Sequence, residues 1–508
     1  MAKATRVRYN GIAPFIDDTQ ANRIQALGSS SRLTTEDIRE LGTLNIVEIV
    51  DDVPQVDISI DQNENGTNDL LGLFANKGYG CNVVAVPTAT EIGSGSIRVR
   101  AGSYYAGGGE GVRVLFEGAV LTVSGTGDQE VFLNPEVTGG AVAKVGVAST
   151  TPAGAIKIAT IAGSAVEAGV ITQADITDTR PFKTVTPLDF ELAKADIFVP
   201  VKQSGSGDNI KRTMYMERAY VNNIDFNFQT NGSATANFRM ETDNKRWFLN
   251  TKAQIIVDNY KASGATVVLT QTPAQLDNGN YLLKLVAGGK ELKEGTDFTV
   301  NAGTKTVTFT PALSANTLVK VRYCSATGGA FFAPVPAIEN PHPELAGGLR
   351  EGQIELYLSD NLNERVARVQ SARISLPLTR EQLKELGSLL PYDRPMQLPV
   401  TLSVSLELRD SDLELMARLA GMDVDTADEI AITDLVKNMG LTIKLYREND
   451  IQRAKLPAGH PDKYAIKTFT VTNLIPQGEN WDVRVDSDAT QTFEFNAHNI
   501  TISDEVTL

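Results

Sequence analysis

The 508-residue sequence predicts a mainly β chain built from two copies of one unit, with β-rich material inserted around them. Three observations predict it. One stretch of the chain occurs twice. Apolar and polar residues alternate along both copies. Glycine is abundant, at 42 residues, and Val, Ile and Thr are frequent, which favours strands and turns.

The repeat lies in Arg23–Leu44. Shifted by 345 positions, Arg23, Gln25, Ser30, Leu33, Thr34, Glu36, Glu40, Leu41, Gly42 and Leu44 meet Arg368, Gln370, Ser375, Leu378, Thr379, Glu381, Glu385, Leu386, Gly387 and Leu389. Chance would give about one identity in such a window at ordinary residue frequencies. The register runs on to Pro54 and Pro399. A duplicated unit separated by inserted material follows. Both copies carry helix punctuation. Thr34 or Thr35, and Thr379, stand where an N-cap belongs, with acids in the first turn and Gly42 or Gly387 as the stop. The spacing predicts a helix over Thr34–Gly42 and again over Thr379–Gly387, with Ile38, Leu41, Leu383 and Leu386 as packing residues.

Next, Val56, Ile58 and Ile60 alternate with Asp57, Ser59 and Asp61, a strand with one buried face. Leu402, Val404, Leu406 and Leu408 repeat it against Thr401, Ser403, Ser405 and Glu407. A short helix follows in each copy, at Asp69–Ala75 and Asp412–Ala420. The second copy then runs to a strand at Leu441–Tyr446, whereas the first makes a detour before its strand at Ile197–Val201. Both end on a predicted hairpin: Ile224–Phe228 with Ser233–Met240, and Trp481–Asp486 with Asp488–Phe495. The predicted domains are 1–80 plus 183–253 for the first copy, an inserted β-rich domain at 81–182, a small sandwich at 254–345 and the second copy at 346–508. Short strands at Val267, Leu283, Phe298, Val307 and Val319 have the spacing of that sandwich.

Composition excludes several functions. Formal net charge is −15, against tight binding of a phosphate backbone, which needs clustered Lys and Arg. Two cysteines, Cys81 and Cys324, lie far apart, and three histidines leave little for a metal or triad site. The start of the chain has no apolar signal core, and no run approaches the roughly 18 apolar residues of a spanning helix, so a soluble, cytoplasmically made protein is expected.

No motif assembles into an enzyme, and no cofactor or metal is expected. Asp61, Asn63, Asn65, Gly66 and Asp69 match the start of a calcium loop, but its twelfth position is Gly72 rather than a bidentate Glu. A polar turn leading into the next helix explains the stretch better. Gly107–Gly111 precedes a strand rather than a helix, so it offers no phosphate cradle. Lys211–Arg212 and Lys245–Trp247 read as solvated faces or subunit salt bridges.

Helix, hairpin, short helix and paired strands ending in a pattern such as the SATANF run from Ser233 to Phe238 resemble the tail tube proteins of long-tailed bacteriophages. Thr34–Gly42, Pro54–Ile60, Asp225–Asp243 and the Asp486–Phe495 run carry the resemblance, over about two-thirds of the chain. It implies tandem β-sandwich or half-barrel domains, each flanked by a helix, forming rings that stack into a tube for DNA and the tape measure protein. Two units per chain imply a trimeric, pseudo-sixfold ring, located in the virion tail and assembled in the host cytoplasm. Baseplate and tail-terminator proteins, and in some tails a sheath, are the further partners implied. The Glu294–Phe298 turn resembles the immunoglobulin-like modules that decorate phage and bacterial surfaces.

On this reading the lumen candidates are Asp57, Ser59, Asp61, Asp225, Asn227, Thr401, Ser403, Glu407, Asp482 and Asp486, whose acidity would repel phosphates. The same residues could equally form an outer solvated face. Two other functions stay open: another ring-forming virion part (baseplate hub, tube terminator or sheath-like protein), or a carbohydrate-binding surface adhesin using its insertions.

Overall fold

The computed structural model describes residues 14–506 except 22, 33–34, 39–47, 52–54, 65, 67–68, 88–93, 107–111, 117, 138–140, 153, 203–209, 250–254, 263, 276–280, 282, 289, 315–316, 327–347, 359–364, 367, 387–390, 410–413, 423–428, 432–433, 436–438 and 484–488. The chain is mainly β, and its largest sheet is organised by the repeat.

In the first copy the elements are β1 (Ile24–Arg32), β2 (Gln55–Asn63), α1 (Asp69–Phe74), β3 (Ala195–Lys202), β4 (Ile210–Gln229) and β5 (Thr235–Thr242). The second copy supplies β6 (Val369–Pro377), β7 (Leu402–Leu408), α2 (Glu414–Ala420), β8 (Met439–Leu445), β9 (Lys467–Asp482) and β10 (Thr490–Ala497). Eight of these strands run side by side, antiparallel, in the order β1-β2-β5-β4-β6-β7-β10-β9. The first four belong to copy one and the last four to copy two. Their join is the β4·β6 ladder, from Asn223 opposite Pro377 to Gln229 opposite Ser371.

The copies match residue by residue. Strands β5 and β10 lie 255 positions apart and share one alternation of buried and exposed residues. A bulge between Val221 and Asn223 of β4 recurs between Pro476 and Gly478 of β9. The bulge between Ile24 and Ala26 of β1 recurs, 345 positions on, between Val369 and Ser371 of β6. Left-handed backbone recurs at Arg23 and Arg368, and at Arg218 and Asn473. One offset differs: Val56, Ile58 and Ile60 correspond to Leu402, Val404 and Leu406, which is 346 positions. Strand parity requires this, because a one-residue slip would turn every apolar side chain of β7 to the wrong face.

The two copies bury their apolar faces in one shared core. Ile58, Phe226 and Phe238 from the first copy and Ile374, Leu406 and Phe493 from the second all belong to it. Helix α1 lies wholly inside, with the Phe74 ring 5.3 Å from that of Phe238. Gly66 shows how closely the copies approach. It has φ +76°, and a Cβ there would stand 2.2 Å from Ile466 Cδ1. Beside it, Lys467 Nζ of copy two meets Glu64 Oε2 of copy one at 2.9 Å, both buried.

The helices predicted at Thr34–Gly42 and Thr379–Gly387 are not formed where the structure describes them. Thr35–Ile38 is a strand paired with Glu48–Asp51. In the second copy Arg380 and Leu383 form bridges to Met396 and Asp393. The cause is tertiary. Arg380 donates to the backbone carbonyls of Val221, Phe190, Glu191 and Arg394, fixing an extended loop. Leu386, expected to pack, is fully exposed, so no buried stripe supports a helix. The helices at α1 and α2 form as predicted.

The insertions have cores of their own. One is built within residues 81–182, around Val114, Val131, Leu133 and Ile158. The other is a two-sheet sandwich, with Ile255–Ala262, Leu283–Ala287, Lys290–Leu292 and Thr317–Cys324 facing Thr266–Val268, Phe298–Asn301 and Thr306–Phe309. Buried ion pairs lock both to the repeat. Arg322 of the sandwich binds Asp17 at 2.9 Å and also Asp196. Arg180 of the first insertion binds Asp504 at 2.9 Å.

Candidate functional site: the polar face of the duplicated sheet

Alternation along the eight strands leaves one face of the joined sheet apolar and the other polar. Nine of the ten sequence candidates fall on or beside that polar face; Asp486 lies outside the described residues. Ladder register puts several of them in one row across the seam: Ala26, Asp61, Asn237, Asp225, Ser375, Ser403 and Asn496. Asp57 stands opposite Ser30 and Glu241, and Ser59 opposite Gly28 and Arg239. Asn227 stands opposite Thr235 and Arg373, Glu407 opposite Ser371 and Thr492, and Asp482 opposite Thr490. Thr401 is exposed immediately before β7.

Local bonding divides these residues. Asp57, Ser59, Thr401 and Ser403 are exposed. Asp61 accepts from the Asn237 amide, and Glu407 accepts from Ser371 Oγ at 3.0 Å. Asp225 departs from the expectation of a solvent-facing acid. It is 4% exposed, accepts from Asn223 Nδ2 at 2.8 Å and is bridged by Arg373 at 3.2 Å. That salt bridge crosses from copy one to copy two, so Asp225 belongs to the seam.

Three residues of the face escaped the sequence reading. Arg239 and Glu494 are equivalent exposed positions of opposite charge on β5 and β10. Arg373 lies in the repeat, but its face was unreadable while β6 was not recognised as a strand. Period-two parity counted outward from Ile374 and Leu376 would have placed it. The face therefore carries acids at Asp57, Asp61, Glu407, Asp482 and Glu494 against exposed cations at Arg32, Arg239 and Arg373. It offers many hydrogen-bond acceptors and little to hold a phosphate.

Other candidate chemistry disperses. Asp61 points to the polar face, whereas Asp69 is buried, accepting from Leu70 N–H at 2.9 Å and from Gln62 Nε2 at 3.2 Å. Burial pushes the Asp69 carboxyl above its ordinary range. The calcium-like stretch thus splits its carboxylates between two sides of the sheet, and among the described residues no group of His, Cys, Asp and Glu could hold a metal. Cys81 and Cys324 are buried and in no disulfide, and burial pushes Cys81 up to about 12. His460 caps a short turn by accepting from Asp462 N–H at 3.2 Å, and His498 is exposed. His342 lies outside the described residues. No described helix is long and apolar enough to cross a membrane.

No family model and no curated protein matches the chain. Among solved structures it matches the N-terminal domain of a Streptococcus gordonii adhesin, over 73% of this chain and 89% of that one, at 8% identity and a TM-score of 0.08. A likeness that slight carries no argument about fold or function.

Proposed function

We propose that the chain is the structural subunit of a bacteriophage tail tube. Three copies close into a pseudo-sixfold ring, and rings stack around a bore through which DNA passes. The observation that carries this reading is the internal seam. Two equivalent four-stranded units are joined edge to edge, and among the described residues the joined sheet ends in two unused edges, β1 on one side and the last residues of β9 on the other. Repeating the same join between chains uses both edges and leaves none exposed, which removes an otherwise hazardous template for uncontrolled pairing.

The polar face supports the bore. An acceptor-rich, acid-biased surface repels phosphates and lets a polyanion slide without sticking. Facing the lumen are Asp57, Ser59, Asp61, Asn227, Thr401, Ser403, Glu407, Asp482 and Asp486, with Asp225 engaged at the seam. The two inserted modules, each with its own core, project outward as decoration. The tape measure protein fills the bore before DNA does. Baseplate and terminator proteins cap the ends, and a sheath surrounds the tube if the tail contracts. The role is structural, not enzymatic, and needs no cofactor.

Negative-stain microscopy of the purified chain tests this. Hollow rings or tubes with threefold outer lobes are the expected result. A chain that stays monomeric at the highest attainable concentration overturns it. Single rings that never stack favour another ring-forming virion component instead.

A further inference from the structure

The internal seam is also a template for a contact that one chain cannot make with itself. On the buried face of that seam, Phe226 and Phe228 of β4 lie opposite Ile374 and Ala372 of β6. Their rings meet Phe469 of β9 edge-on, at 4.9 and 5.3 Å. The 255-position equivalence carries Phe226 and Phe228 onto Trp481 and Val483. The first pair is 0% and 4% exposed; the second is 58% and 53% exposed. Going back 345 positions carries Ile374 and Ala372 onto Ser29 and Leu27 of β1. Phe469 maps onto Met214.

Two observations fit these residues to one another. Met214 Sδ already lies 3.7 Å from Ser29 Oγ, so the two groups that would receive an incoming ring adjoin before it arrives. Their sizes also compensate: Trp481 is larger than Phe226, while Ser29 is smaller than Ile374 and Met214 more pliable than Phe469. The chain's other tryptophan follows the same rule. Trp247 is 51% exposed, whereas its equivalent, Ile502, is 2% exposed and pairs with Val185 of the opposite copy. Both tryptophans therefore lie open where the internal equivalent is covered by the other unit.

We infer that Trp481 and Val483 of one copy dock onto Ser29, Leu27 and Met214 of a second copy of this chain. The two strands run antiparallel, with Trp481 opposite Ser29 and Val483 opposite Leu27. The occupant is the same chain because the register, the small-for-large exchange and the paired exposures all derive from its own duplication. This inference rests on the ring reading and fixes the residues at which its chains meet.

The test uses the full-length protein. Directly opposed residues of antiparallel strands have Cα atoms about 4.5–5.5 Å apart, within disulfide reach. Leu27→Cys with Val483→Cys, oxidised with diamide, is expected to give interchain cross-links on a non-reducing gel. Ser30→Cys with Val483→Cys, displaced about 10 Å along the strand, is expected to give none. Trp481→Arg is expected to raise the assembly concentration at least tenfold while leaving the unfolding curve of the dilute chain unchanged. If the wild type assembles but the in-register pair does not cross-link, or Trp481→Arg assembles like wild type, the seam is wrong and the ring reading stands. If the wild type does not assemble at all, both fall.

Discussion

Strands β1 and β6 are the same strand of the same unit, yet they have had different fates. β6 is a central strand, paired on both sides, with Ala372, Ile374 and Leu376 buried. Among the described residues β1 is an edge strand paired only with β2, and its equivalents of Ile374 and Leu376 are Ser29 and Ser31. β4 and the end of β9 differ in exposure instead: Phe226 and Phe228 are buried, whereas Trp481 and Val483 are equally apolar but open. A duplicated unit thus carries two grades of edge: a covalently guaranteed, covered one inside the chain, and an open one at the ends, polar along β1 and apolar at Trp481 and Val483 of β9. An edge of the first grade left unpartnered would invite aggregation.

The largest effect expected from breaking this comparison is at Phe226. Phe226→Ala should destabilise the unassembled chain by about 3–5 kcal/mol, because it empties a packed site between the copies. Trp481→Ala, at the equivalent position, should change denaturant stability of the dilute chain by less than about 0.5 kcal/mol. Equal losses would mean that the two positions are not equivalent. Next comes the buried pair between the copies. Glu64→Gln removes the buried carboxylate that Lys467 meets and should cost about 3 kcal/mol, whereas neutralising Arg212, the exposed equivalent of Lys467, should cost roughly nothing. Urea titration reads both.

A pH experiment sharpens the comparison between repeat and insertion. Burial pushes the Asp17 carboxyl up, but Arg322, with Arg113, Lys284 and Lys320, outweighs it and holds that carboxyl below the ordinary carboxylate range. A depressed folded-state pKa contributes stability above the unfolded value of about 3.9, lost as pH falls below it. Thermal unfolding should therefore show an acid-side loss below about pH 4 that Arg322→Gln reduces, while lowering stability at pH 7. The smallest effect is expected at the polar face. Arg373→Gln should cost roughly 0.5–1 kcal/mol, since the guanidinium is half-exposed.

Much of this fold was legible in the sequence. The alternation at Val56–Ile60 and Leu402–Leu408 marked β2 and β7, the Ala-Thr hairpins marked β4·β5 and β9·β10, and the 254–345 spacing marked the sandwich. Less legible was β1, where Gly28–Ser31 shows no alternation because an edge strand has little to bury. The helix expected at Thr379–Gly387 rested on caps and two apolar positions, too little to outweigh the bonds that Arg380 makes. The identity of register at 345 positions also hid the extra residue before β7, which only the burial of Val56 and Leu402 exposes. Of the site, the polar parity could be read, but the seam could not. Asp225 looked like any solvent-facing acid until Arg373 was placed across from it.

That salt bridge has a counterpart worth following. Mapped onto the contact between chains, Asp225 becomes Asn480 and Arg373 becomes Gly28, so neither charge is present there. In a closed ring the wall would then carry a carboxylate-paired guanidinium, Arg373, at the junctions inside each chain and an exposed one, Arg32 of β1, at the junctions between chains. The potential met by a threading polyanion would ripple three times per circuit, although the strands repeat six times. Stacked rings could register on one another through that coarser rhythm, choosing among three angular settings rather than six.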